Sequence, residues 1–183
     1  MVRIKRISGS KMSTTFKLRI ENIESNIREV VPGNRRSIEA DVMSSVKGDL
    51  SICYGGSNVV RSSVEVLRVY FDLKDALFQV IIRGMPSFIR VRYEEVLALF
   101  PDNEGCVLSQ PPPPYPVDSR DLARETLDLV DIKSIMRGFE INIREAIKDD
   151  REKLMILFEL SQSPVLFDIL RVIDARADIR SNN

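Results

Sequence analysis

The stretch whose residue types and spacing specify chemistry most directly is SQPPPPYPVD, residues 109–118, and its chemistry is recognition rather than catalysis. Proline fixes its own φ and biases its neighbours towards polyproline II, a helix with no internal hydrogen bonds. Such a segment is extended before it meets a partner, and grooves lined with aromatic rings exploit that low ordering cost. Pro112, Pro113, Pro114 and Tyr115 fit the PPxY pattern read by WW domains, with two prolines between groove aromatics and the tyrosine in an adjacent pocket. The same stiffness suits a semi-rigid spacer between folded halves, and both readings stay open at this stage.

Catalytic chemistry is poorly provided for. Histidine is absent, which removes the usual general base, the commonest zinc ligand and every Ser-His or Cys-His pair. Cys53 and Cys106 form no CxxC pair and read as small buried hydrophobes. Gly55-Gly56-Ser57-Asn58 lacks both the GxGxxG spacing and the Lys-Ser/Thr of a phosphate loop, so it reads as a turn. Glu94-Glu95 and Asp149-Asp150 have no companion cluster that specifies a metal, and DDREK (149–153) reads as exposed, within or interrupting a helix. The expectation is a protein that is not an enzyme and takes no cofactor or metal.

Charge is balanced, 27 basic against 27 acidic residues, so any pull towards lipid or nucleic acid has to be local. Such a locus exists: Arg3, Lys5, Arg6, Lys11, Lys17 and Arg19 precede the first acid, Glu21. Each basic residue close to an anionic membrane is worth about 1 kcal/mol, and the same cluster suits phosphate backbones. Its alternative is a solvated tail followed by the polar face of a strand, and Arg83, Arg90 and Arg92 are candidates to extend a basic sheet face. No secretory signal and no spanning apolar run is read, so a soluble intracellular chain is expected, with a peripheral place at a membrane or in a virion open to it.

The elements that must position these groups follow from periodicity. Residues 14–22 alternate as a strand, with Phe16, Leu18 and Ile20 on one face. Ile38, Ala40 and Val42 predict another strand, Lys47-Gly48-Asp49 a hairpin reversal, and Leu50, Ile52 and Tyr54 its return. Ser62 and Glu65 match a capping box for a helix over 62–73. Ala76–Ile82 is assigned to a buried strand, Phe88–Tyr93 to an alternating strand, and residues 94–100 to a short helix. Beyond the prolines the pattern is helical. A helix capped by Asp118 or Ser119 carries Leu122, Thr126, Leu129 and Val130 and stops near Gly138, a second spans 140–160, and Ser163-Pro164 opens a third. The expected organisation is a basic segment over 1–13, an α+β domain with an antiparallel sheet over 14–108, a proline-rich linker over 109–117 and a helical region over 118–183.

The PPPPYP segment resembles the late-budding motif of viral structural proteins, notably rhabdovirus-type matrix proteins and retroviral Gag proteins. That resemblance implies that Pro112, Pro113 and Tyr115 dock WW-containing HECT-type ubiquitin ligases. It also implies a basic start that touches membrane and self-association, and nucleic acid or a nucleocapsid stays open as a further partner. The expected function is therefore a non-enzymatic matrix-type assembly protein. The alternatives are a cellular adaptor or accessory subunit and a nucleic-acid-binding structural protein.

Overall fold

A computed structural model describes residues 16–54, 57–91, 94–103, 105–109 and 124–175. The fold is α+β: two antiparallel sheets, one of three strands and one of four, share a core with five helices among the described residues.

Strand β1 (Lys17–Ser25) follows the expected alternation and sets Leu18 opposite Ile52 and Ile20 opposite Leu50 on β2 (Val46–Tyr54). Between them the chain forms not a strand but helix α1 (Arg35–Ser45), capped by the Asn34 side chain, which accepts from the Ser37 amide at 3.0 Å. Ile38 and Val42 are buried one helical turn apart while Ala40 is exposed, so the apparent period of two was half of a period of four. Lys47-Gly48-Asp49 is no reversal; it lies within β2, where a Cβ on Gly48 would sit 3.1 Å from the Glu21 carbonyl oxygen and 3.0 Å from Val66. The glycine is there for close packing.

Strand β3 (Ser57–Glu65) takes up Ser62 and Glu65 of the expected capping box, and Glu65 instead pairs with Arg68 at 2.9 Å. Helix α2 (Val66–Arg83) then runs straight through 76–82, assigned from sequence to a strand. Its buried residues Val66, Tyr70, Leu73, Leu77 and Val80 recur at three- and four-residue steps, and that stripe outweighs the β-branched cluster at its end. Lys74-Asp75, taken as a break, is simply its outer face.

The second sheet is a meander of β4 (Ser87–Val91), β5 (Glu94–Asp102), β6 (Gly105–Ser109) and β7 (Arg124–Asp128). Residues 94–100, expected to be helical, form most of β5, where Val96, Leu97, Ala98 and Leu99 are buried in succession, as in a strand covered on both faces. Strand β7 replaces the start of an expected helix. The true cap of helix α3 (Leu129–Ile147) is Asp128, whose carboxylate accepts from the Val130 and Asp131 amides at 2.8 Å each. Gly138 neither ends nor interrupts α3; it is exposed, with open space where a Cβ would stand.

The long helix expected over 140–160 is divided by a 3-10 turn at Lys148–Asp150 from helix α4 (Arg151–Ser161). Asp150 is buried rather than solvated, accepting from Ser25 at 2.5 Å and Arg28 at 2.9 Å. Helix α5 (Pro164–Asp174) begins at the predicted Ser163-Pro164, with Leu166, Ile169 and Leu170 buried. Among the described residues no helix is long and apolar enough to cross a membrane.

Four strand-to-strand connections can be compared. Tyr54 pairs with Ser57, Val91 with Glu94 and Asp102 with Gly105, so each of those turns contains two residues. Ser109 pairs with Arg124, so β6 and β7 are joined by fourteen residues, 110–123. The chain on either side of the prolines thus belongs to one sheet.

Candidate functional site

The residues singled out from sequence for partner binding, Pro112, Pro113, Pro114 and Tyr115, lie outside the described residues, as do Arg3, Lys5, Arg6 and Lys11. What the fold does establish is the frame around the proline segment. Leu108 and Leu127, on the two strands that flank it, are buried, and Ser109, the last residue before it, is buried as well. Cys106 pairs with Leu127 across the same hairpin, and burial pushes its thiol up to about 11. The segment therefore enters and leaves from adjacent, fixed points of one rigid sheet.

The basic residues that fall within the described part do not form one face. Lys17 and Arg19 are exposed on β1 of the three-stranded sheet. Arg90 belongs to the other sheet and is neutralised by Glu95 at 2.7 Å, and Arg83 ends α2 with its guanidinium 5.4 Å from the Phe78 ring centre. Cys53, expected to be buried, is half-exposed on β2 with its thiol 3.3 Å from Asn58.

A second site was not foreseen. Helices α2 and α3 part to leave a groove of about 620 Å³, to whose lining Val172 on α5 and Ala175 just after it also contribute. Its apolar surface comes from Leu77, Phe78, Ile82, Ile132, Met136 and Ile141. Phe78 and Ile82 stand one turn apart on the flank of α2, beside the buried stripe and not in it, and are 46% and 68% exposed. That flank was invisible while 76–82 was assigned to a strand, although the four-residue step from Phe78 to Ile82 was there to be read.

The rim is cationic: Lys74, Lys133, Arg137 and Arg144 surround a single acid, Glu140. Glu140 is engaged, accepting from the Tyr70 hydroxyl at 2.7 Å, and burial, with that carboxylate close by, raises the Tyr70 phenol above its ordinary range. The Tyr70 ring stands edge-on to Phe139, 5.6 Å between centres, which ties α2 to α3. Lys74 reaches Asp168 at 3.2 Å and Arg144 donates to the Ala175 carbonyl at 2.6 Å. Lys133 is exposed and makes no ion pair among the described residues. An apolar trough with positive edges is chemistry for docking. Among the described residues no three His, Cys, Asp or Glu side chains converge as a metal site would require.

Set against known protein families, curated proteins and solved structures, the chain matches none.

Proposed function

We propose that this chain is a non-enzymatic assembly protein of the matrix type, and that Pro112, Pro113, Pro114 and Tyr115 form a ligand for WW-domain host factors such as HECT-type ubiquitin ligases. The observation that carries the reading is the contrast among the four strand connections. Two residues suffice to reverse the chain three times, and the fourth reversal takes fourteen, in a segment that carries the proline run. A spacer is needed between bodies that must be held apart, whereas Ser109 and Arg124 are neighbours in one sheet. A ligand, by contrast, benefits from emergence at a rigid hairpin, because the fold bears the cost of holding its ends.

In this reading Pro112 and Pro113 lie between the aromatic rings of the WW groove, and Tyr115 supplies the hydroxyphenyl ring that a plain spacer does not need. Arg3, Lys5, Arg6 and Lys11 hold the chain against an anionic membrane surface, and copies associate beneath it.

Titration of a WW domain into the full chain and into Tyr115→Ala tests the recognition. Loss of an anchoring aromatic costs about 2 kcal/mol or more, so the variant is expected to bind at least about thirtyfold more weakly. Equal binding by both, or none by either, would remove the proposal. Flotation with anionic vesicles tests the basic start, and neutralising Arg3, Lys5, Arg6 and Lys11 together is expected to abolish it.

A further inference from the structure

We infer that the pole of the fold where β7 meets the start of α3 faces an anionic bilayer. The proline segment leaves from that same pole, so the WW partner it meets is one held at the membrane. The inference rests on the two bindings in the function proposed above and adds the orientation in which they meet.

The pole is defined by where the basic segment joins the fold. Residues 1–15 lead to Phe16, whose amide donates to the Glu125 carboxylate at 2.7 Å. Glu125 lies on β7, next to Arg124, where the fourteen-residue connection ends. The Phe16 ring is buried and lines a small apolar void together with Leu108 and Leu127, which flank that connection, and with Ile132 and Ile135 in the first turns of α3. One hydrogen bond and one buried ring therefore root the basic segment beside both strands of the proline hairpin.

The described surface at this pole has the chemistry of a lipid contact. Leu129 and Val130, in the first turn of α3, are 44% and 74% exposed. Lys133, one turn on, and Lys17 and Arg19, just after Phe16, are exposed and make no ion pair among the described residues. Acids are present too, but Glu125 is engaged with the Phe16 amide and Asp128 with the first amides of α3, which leaves Asp131 beside them. The segment that joins here brings Arg3, Lys5, Arg6 and Lys11 and no acid. Exposed apolar side chains among cations are what an anionic interface takes up.

The other end of α3 is different. The helix runs nineteen residues, about 28 Å, to Ile147. There Lys148 pairs with Glu145 at 2.7 Å, Arg151 with Asp174 at 2.6 Å and Arg28 with Asp150 at 2.9 Å, so those three charges are met within the fold.

A bilayer held at the Phe16 pole is the surface that the proline segment faces. Lys11 is five residues from Phe16 and Pro112 three from Ser109, so each stays within about 18 Å and about 11 Å of its root. A WW domain already held on that bilayer meets the ligand at a raised effective concentration.

Energy transfer to an acceptor-labelled lipid tests the orientation on the full chain, bound to vesicles of phosphatidylserine and phosphatidylcholine. Donors are placed at Val117→Cys and at Lys148→Cys, each with Cys53→Ser. The donor at 148 is expected to lie farther from the bilayer, by up to about 28 Å, the length of α3. Equal distances, or a nearer 148, would overturn the inference and leave the membrane part of the proposed function standing. Val130→Glu is expected to keep the parental thermal transition and to lose flotation; unchanged flotation overturns the contact. A WW domain tethered to these vesicles is expected to capture the chain at lower concentrations than one tethered to phosphatidylcholine alone, and equal capture counts against the shared pole. A parent chain that does not bind the anionic vesicles overturns the inference together with the membrane part of the proposed function.

Discussion

The hairpin joining β2 to β3 and the hairpin joining β6 to β7 solve the same problem with different lengths of chain. In the first, Tyr54 faces Ser57 across two residues, and in the second, Ser109 faces Arg124 across fourteen. Both bring strands into antiparallel register, and both end on strands that contribute to the core, Ile52 and Val64 in one case and Leu108 and Leu127 in the other. Register is thus obtained without the extra residues, and their presence asks for a reason outside the fold. Loop-closure entropy makes the extra length a burden rather than a help, though a modest one, because the cost grows only with the logarithm of length.

The sharpest way to break the comparison is Leu127→Ala. If residues 109 and 124 are neighbours in one sheet, the truncation removes a buried side chain shared by both flanks of the proline segment and costs about 2–5 kcal/mol. The measurement is denaturant unfolding, and the expected outcome is one transition moved to lower denaturant. Two transitions, with only one of them moved, would mean independent halves joined by a linker.

Gly105→Ala follows in size. A Cβ there would lie 1.9 Å from the Leu127 carbonyl oxygen and 3.0 Å from the Asp128 Cα, both backbone atoms that the register fixes. Overpacking of this kind costs about 1–3 kcal/mol in the same unfolding experiment. The opposite sign is expected when 110–123 is replaced by Asn-Gly, the turn that two-residue hairpins favour. Shortening the loop from fourteen residues to two stabilises by about 1.7 kcal/mol on closure entropy, and this variant should lose WW binding completely. Destabilisation would mean that the segment supports the fold.

The smallest effect is read from the cysteines, which sit one in each hairpin system. Half-exposed Cys53 is expected to react with a thiol reagent on mixing, and buried Cys106 only as the chain unfolds. Because the folded thiol of Cys106 is raised to about 11, the folded chain holds a proton that the unfolded chain releases from about pH 8.5 upwards. The contribution to stability is therefore complete below that pH and is lost as pH rises towards 11, and Cys106→Ala should flatten that part of the profile.

Legibility of the fold in the sequence tracks how local the signal is. β1 was read correctly because Phe16, Leu18 and Ile20 alternate without competition, and α5 because Ser163 and Pro164 state a cap and a first turn within two residues. A short window divides helix α2 wrongly, because Lys74-Asp75 interrupts its apolar run. The buried step from Leu73 to Ala76 and Leu77 crosses that pair, and only a longer window reveals it. Residues 94–100 and 124–128 were read as helix because a short apolar run, or a leucine preceded by charges, has no period of its own; pairing with β4 and β6 makes both strands. Partners of that kind lie far along the chain, and so does the one for Asp150, whose burial depends on Ser25 and Arg28 at the opposite end of the sequence. The PPxY pattern, conversely, takes four residues and no tertiary partner to read.

The central claim is that the proline segment is held out by the hairpin as a ligand, and calorimetric titration of one WW domain tests it most directly. The full folded chain is to be compared with an isolated peptide of residues 109–118. Tighter binding by the folded chain is predicted, because the pairing of Ser109 with Arg124 already holds the two ends of the segment in place. A peptide that binds while the folded chain does not, or a domain that ignores both, would contradict the account.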